Sequence, residues 1–169
     1  MKIELTDTER FALALQYEIL DALKPGSGYA DIAESLRNGH KWIYDMIFEP
    51  LYENLSEEST NHVLEIIELF DNLNVSVDHL EGKTKISKEQ VQFPGFDGNH
   101  ETALLGFAED LLKHHRYESV LADRDLNSHS QTTEVYKRML ARWHGLGSPT
   151  APMSEEHIQA ILDARRYPR

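Results

Sequence analysis

The 169-residue sequence contains no cysteine. Disulfides, thiolate nucleophiles and zinc–thiolate sites are therefore excluded, and the cytoplasm is the default compartment. No apolar run approaches the ~20 residues that a membrane helix needs, so no membrane partner is expected. The opening Met1-Lys2-Ile3-Glu4 carries an acid and no apolar core, so no export signal is expected either. Alternating apolar and polar runs are nearly absent, which leaves little material for strands. Positive charge is scarce: 17 basic against 29 acidic residues give −12. It is also uneven, with 7 − 17 = −10 over residues 1–85 and 10 − 12 = −2 over residues 86–169. Such a surface repels phosphate backbones, so no nucleic-acid partner is expected. The best basic edge, Lys137, Arg138 and Arg142, is thin. The acidic surplus is accounted for by solubility.

Recognisable chemistry is equally scarce. Nine histidines invite a test for metal ligation. Two ligands on one helix face should stand three or four residues apart, and no histidine pair does. His114 and His115 are adjacent and point apart. His100 and His114 share a face but lie about 21 Å apart along a helix axis. The row Asp110, His114, Glu118 reads as a solvated charged edge. No serine sits in a Gly-x-Ser-x-Gly turn, and no glycine-rich phosphate loop precedes a Lys-Ser/Thr pair. Gly95-Phe96-Asp97-Gly98 is short, and Asp97 would repel a phosphate, so it reads as a capping turn with Asp97 as N-cap. No catalytic residue, metal or cofactor is expected.

What the chain does have is helical periodicity. Thr6-Asp7-Thr8-Glu9 is a capping box, followed by a helix with Phe11, Leu15, Ile19, Ala22 and Leu23 on one face, widened by Leu13 and Leu20. Lys24-Pro25-Gly26 ends it. A short helix starts at Ser27 or Gly28, places Ile32, Ala33 and Leu36 inward, and stops at Asn38-Gly39. Lys41 to Tyr52 reads as helix with a break near Phe48–Glu49 ahead of Pro50. Ser56 opens a helix whose apolar residues, Val63 to Leu73, cover roughly 220°. It ends at Asn74-Val75-Ser76 or continues through Leu80. The stretch Phe93 to Tyr117, a turn followed by a helix with an apolar arc of roughly 200°, is by pattern the element around which the chain is organised. Gly106 inside it suggests close approach of another backbone. A helix from Thr132 or Thr133 turns Val135, Tyr136, Met139, Leu140 and Trp143 inward and stops at Gly145. Ser154 caps a last helix with Ile158, Ile161 and Leu162 inward.

The expected fold is all-α: a multihelical single-domain bundle of about seven to eight helices over residues 1–169, with a loop and turn at 81–99 and a frayed basic tail at 165–169. Three apolar arcs, beginning at Phe11, Val63 and Ala103, are wider than one bundle needs. A homo-oligomer, most simply a two-fold dimer, is therefore expected to act by protein contact rather than by catalysis. The alternative is an enzyme or small-ligand binder. Its polar pocket would draw on the Phe96–Asp97 turn, the Arg116–Tyr117 helix end, the Asn127 loop and the Trp143–His144 helix end. Its candidate ligand-binding residues are Asp97, Arg116, Tyr117, Asn127, Arg138 and His144. For Arg138, cover of apolar surface by the side-chain stem is the simpler role.

A resemblance joins these stretches. Glu9-Arg10, Gln16-Tyr17, Phe93-x-Gly95-Phe96-Asp97, Gly106, Arg116-Tyr117, Asn127, Tyr136-x-Arg138-Met139-Leu140 and Trp143-His144, in this order, resemble the YfbU family of bacterial proteins over almost the whole chain. The resemblance implies a multihelical cytoplasmic protein with a tendency to self-associate. It brings no enzymatic activity, cofactor or catalytic residue with it.

Overall fold

A reciprocal cap starts the first helix. The Thr6 hydroxyl accepts from the Glu9 N–H at 3.3 Å, and the Glu9 carboxylate accepts from the Thr6 N–H at 2.8 Å. Two orphan donors are satisfied, and α1 runs Asp7–Leu23. Hydrogen bonding to Thr6 holds the Glu9 carboxyl below its ordinary pKa. The computed structural model describes residues 3–49, 51–80 and 84–166. Pro50, part of the 81–99 loop (81–83) and the end of the basic tail (167–169) lie outside the described residues. The described part is all-α, with nine helices and no strand. The number exceeds seven to eight because the single turns Lys88–Val91 and Glu118–Leu121 count as helices. No described helix is long and apolar enough to cross a membrane.

The chain divides into two compact units, residues 1–54 and 55–169. The first holds α1, α2 (Tyr29–Arg37) and α3 (Lys41–Phe48). Gly28, left-handed at φ 79°, opens α2, and Gly39 follows its end at φ 72°. The break before Pro50 falls where the pattern places it, with α3 ending at Phe48. Helices α1 and α2 pack against each other. Their small core is Ala14, Leu36 and Tyr44, edged by Leu5, Leu13, Tyr17, Ile32, Ile47 and Phe48. Arg10 secures the pair by donating to the Leu36 carbonyl at 3.2 Å.

In the second unit α4 (Glu57–His79) is the spine, in contact with α5 (Lys88–Val91), α6 (Thr102–Lys113), α7 (Glu118–Leu121), α8 (Thr133–Gly145) and α9 (Glu155–Asp163). Ser56 caps it through the Ser59 N–H at 3.0 Å, and it continues through the Asn-Val-Ser segment. Val63, Ile66, Ile67, Leu69, Phe70, Leu73 and Val77 are buried inside this one chain. The wide arc of α4 therefore needs no second copy: it meets helices on several sides. The stretch chosen by pattern as the organiser is more peripheral, since Leu104, Leu105, Phe107, Leu111 and Leu112 of α6 are only partly buried. No backbone approaches Gly106 either; a Cβ there would meet nothing within 4 Å. The stop of α8 is Gly147, at φ 84°, which donates to the His144 carbonyl at 2.9 Å, while Ser148 N–H reaches Trp143 at 3.0 Å. Gly145 is the last helical residue instead. Ser154 caps α9 as expected.

Candidate functional site

The residues proposed for a polar pocket fall into separate arrangements. Asp97 and Asn127 do come together. The Phe96 N–H donates to Leu126 at 2.9 Å and the Ser128 N–H donates back to Phe96 at 3.0 Å, an isolated parallel bridge. The Asn127 side-chain oxygen then accepts from the Gly98 N–H at 3.0 Å. Only glycine can stand at 95, because it has φ +90° and a Cβ would lie 1.8 Å from the Leu126 carbonyl oxygen. Asp97 is buried, and its carboxylate meets Nδ1 of His100 at 2.5 Å and the Asn99 N–H at 3.2 Å. The His100 contact, then the Asn99 N–H, holds its pKa below the usual range. Asp97 does not cap α6. Its oxygens are already engaged, and the helix starts at Thr102 after Glu101.

Glu101 is the centre of this region and was not singled out by pattern. One carboxylate oxygen accepts from the N–H groups of Thr132 at 2.9 Å and Thr133 at 2.7 Å, and from the Thr133 hydroxyl at 2.6 Å. The other accepts from the Asp97 N–H and the Thr132 hydroxyl, each at 2.9 Å. An anion thus caps the positive end of α8 from 31 residues away. Burial pushes the Glu101 pKa up, but the hydrogen bonds from Asp97, Thr133 and Thr132 outweigh it and leave the pKa lowered. Gly95 completes the knot: its carbonyl accepts from the Tyr136 hydroxyl at 2.6 Å and from Thr132 at 3.2 Å. Burial raises the pKa of the Tyr136 phenol, so it stays a donor. The hints in the sequence were Glu101 four residues after Asp97 and the Thr-Thr pair opening α8. Their contact is non-local and has no periodic signature.

The remaining candidates have other surroundings. Arg138 donates to the carbonyls of Ala164 at 3.2 Å and Arg165 at 3.0 Å, tying α8 to the end of α9. The Arg165 guanidinium lies 5.6 Å from the Phe70 ring centre. His144 pairs with Glu65 of α4 at 2.8 Å. Arg116 and Tyr117 line an open cleft of about 500 Å³ with Leu64, Leu111 and His115. A second open cleft, about 530 Å³, is lined by Glu58, Asn61, His62, Leu64, Glu65 and Glu68. No group of three or more metal-ligating side chains occurs among the described residues.

A YfbU domain model matches residues 3–164. The chain belongs to the YfbU family. Among its relatives is the UPF0304 protein MJECS11 of Methanocaldococcus jannaschii, 29% identical over 170 residues, covering 95% of this chain and 99% of that protein. That relative is archaeal, so it lends no support to a bacterial source.

In this YfbU-family chain the feature with outward chemistry is an apolar surface on residues 11–52. Phe11, Ile19, Leu23 and Trp42 are 53%, 61%, 72% and 74% exposed, and Leu15, Leu20, Ile43, Met46, Leu51 and Tyr52 are exposed with them. Ten of the twelve large exposed hydrophobics among the described residues are in this unit; Val75 and Tyr117 are the other two. The apolar stripe of α1 thus faces out. The physical reason is close packing on α2, which takes the side bearing small Ala14 with Leu13 and Tyr17.

Proposed function

We propose that this protein is a non-enzymatic, cytoplasmic contact protein that self-associates through its N-terminal unit. The observation that carries this reading is the distribution of exposed apolar side chains, which crowd onto residues 11–52. A unit of 54 residues is small for independent stability. This one combines a three-residue buried cluster with ten exposed large hydrophobics. Open apolar patches of several hundred Å² mark association surfaces. Light scattering coupled to gel filtration tests the reading: a dimer or larger at tens of micromolar is expected, and a monomer refutes it.

One observation favours a second reading, a ligand or proton-transfer site at the Gly-Phe-Asp turn. Buried Asp97 holds Nδ1 of an exposed His100, the arrangement in which a carboxylate orients an imidazole. A thermal-shift screen of small metabolites tests it. A ligand that raises Tm in the wild type but not in His100→Ala supports this site, and equal shifts in both refute it.

A further inference from the structure

The stripe on α1 has a geometry that selects one way of pairing. Phe11, Leu15, Ile19 and Leu23 recur every fourth residue, spanning about 18 Å and an arc of about 120° at 100° per residue. Thr8, Ala12 and Ala22 fall within the same arc, so the space between the large side chains is small and lets another backbone come close. The opposite face is occupied by α2. The stripe is also nearly symmetric about position 17. Reversed end for end, Phe11 meets Leu23, Leu15 meets Ile19 and Ala12 meets Ala22.

Charge decides between the two directions. Asp7, Glu9 and Glu18 flank the stripe. A parallel pair would set each against its own copy, in a unit that already carries 5 − 10 = −5 over residues 1–54. A reversed pair sets Glu18 opposite Gln16. It also opposes the two helix dipoles, and the Arg10 that then falls opposite Lys24 is itself turned to Asp7 and the Leu36 carbonyl. The four large side chains of the stripe leave on the order of 400 Å² open per copy, about half of the roughly 800 Å² that a standard interface takes from each partner, so the pair also draws on the surface beside the stripe. We infer that the occupant of the α1 stripe is α1 of a second copy, antiparallel, with Leu15 of each chain against Ile19 of the other. This rests on the self-association reading and deepens it to one interface.

The absence of native cysteine makes the geometry directly testable. Leu15→Cys and Ile19→Cys proteins are oxidised separately and as a mixture, after subunit exchange. The antiparallel pair predicts that the mixed crosslink forms fastest. Ile19→Arg, at a position already exposed in the single chain, should leave the helical circular dichroism unchanged. It should weaken association about 100-fold or more, as expected of a charge at an interface centre, and bring the mass to 19.5 kDa. Val75→Arg, which puts the same charge on an exposed apolar site of α4, should leave the dimer intact. A dimer that survives Ile19→Arg, or one lost equally to Val75→Arg, overturns the α1 pairing but not self-association. A like-with-like crosslink that matches the mixed one does the same. A wild-type monomer removes both.

Discussion

Replacing Glu101 with alanine should destabilise the second unit by about 2–4 kcal/mol at pH 7. The side chain accepts five hydrogen bonds, three of them from the backbone N–H groups of Asp97, Thr132 and Thr133. A hydrogen bond to a charged group contributes about 1.5–3 kcal/mol, but the five share one half-buried carboxylate that water partly reaches, so they do not add. Glutamine is no remedy, because its amide nitrogen would present a donor to donors. The readout is urea unfolding followed by Trp143 fluorescence in a Trp42→Phe background. Trp143 is buried and donates to the Pro149 carbonyl at 2.9 Å, whereas Trp42 is largely in solvent. The pH dependence adds a sign. The folded pKa of Glu101 lies below its unfolded value, so its contribution is complete above an unfolded pKa of about 4.3 and fades as pH falls through the folded value. The gap between wild type and Glu101→Ala should therefore be widest near neutrality and narrow below about pH 4. A loss under about 0.5 kcal/mol, the range of an ordinary surface substitution, would refute the assignment of Glu101 as the anchor of α8. So would a gap that widens in acid.

Three further substitutions probe the same unit. Gly95→Ala puts a methyl 1.8 Å from the Leu126 carbonyl oxygen at φ +90°, and should cost about 3 kcal/mol or more, seen as an early or absent thermal transition. Gly106→Ala meets open space inside α6, and should stabilise by about 0.5–1 kcal/mol, read as a raised urea midpoint with unchanged slope. Ser76→Ala removes a buried hydroxyl that donates to Asn72 at 2.6 Å and accepts from the Met153 N–H at 2.8 Å. It should cost about 1–3 kcal/mol by urea unfolding, because the Met153 N–H is stranded.

What was legible in the sequence was local. The Thr6–Glu9 box, the Ser56 and Ser154 caps and the Asn38-Gly39 stop each need only three or four neighbouring residues, and each is found in place. The buried faces of α8 and α9 were legible too, since one apolar stripe on each leaves one choice. On α1 the apolar residues run most of the way round. Periodicity then cannot say which side meets α2; a small residue, Ala14, decides it by permitting approach. The width of the α4 arc was read correctly, but its cause was not, because several helices of the same chain cover it. At the polar knot, the Glu101 contacts span 31 and 32 residues. Such pairings follow from the path of the backbone, not from spacing, so the sequence pattern points to Asp97 as a cap and not to Glu101.

This difference bears on where function should be sought. Residues that carry the family resemblance are largely engaged in building the fold. Glu9 caps α1, Arg10 holds α2, Gly95 admits the Leu126 carbonyl, Asn127 accepts from Gly98, Tyr136 donates to Gly95, and Arg138 binds the end of α9. Their polar groups point at the chain's own backbone, so a substitution there alters stability before it alters any outward activity. The exposed large apolar side chains lie mostly on α1 and around α3. Apolar surface offers no directional chemistry, but it drives association in proportion to area. Variants that lose function without losing stability should therefore map to Phe11, Leu15, Ile19, Leu23 and Trp42. If they map instead to Asp97 and His100, the turn that binds them is the working part of the molecule, and the apolar face is incidental.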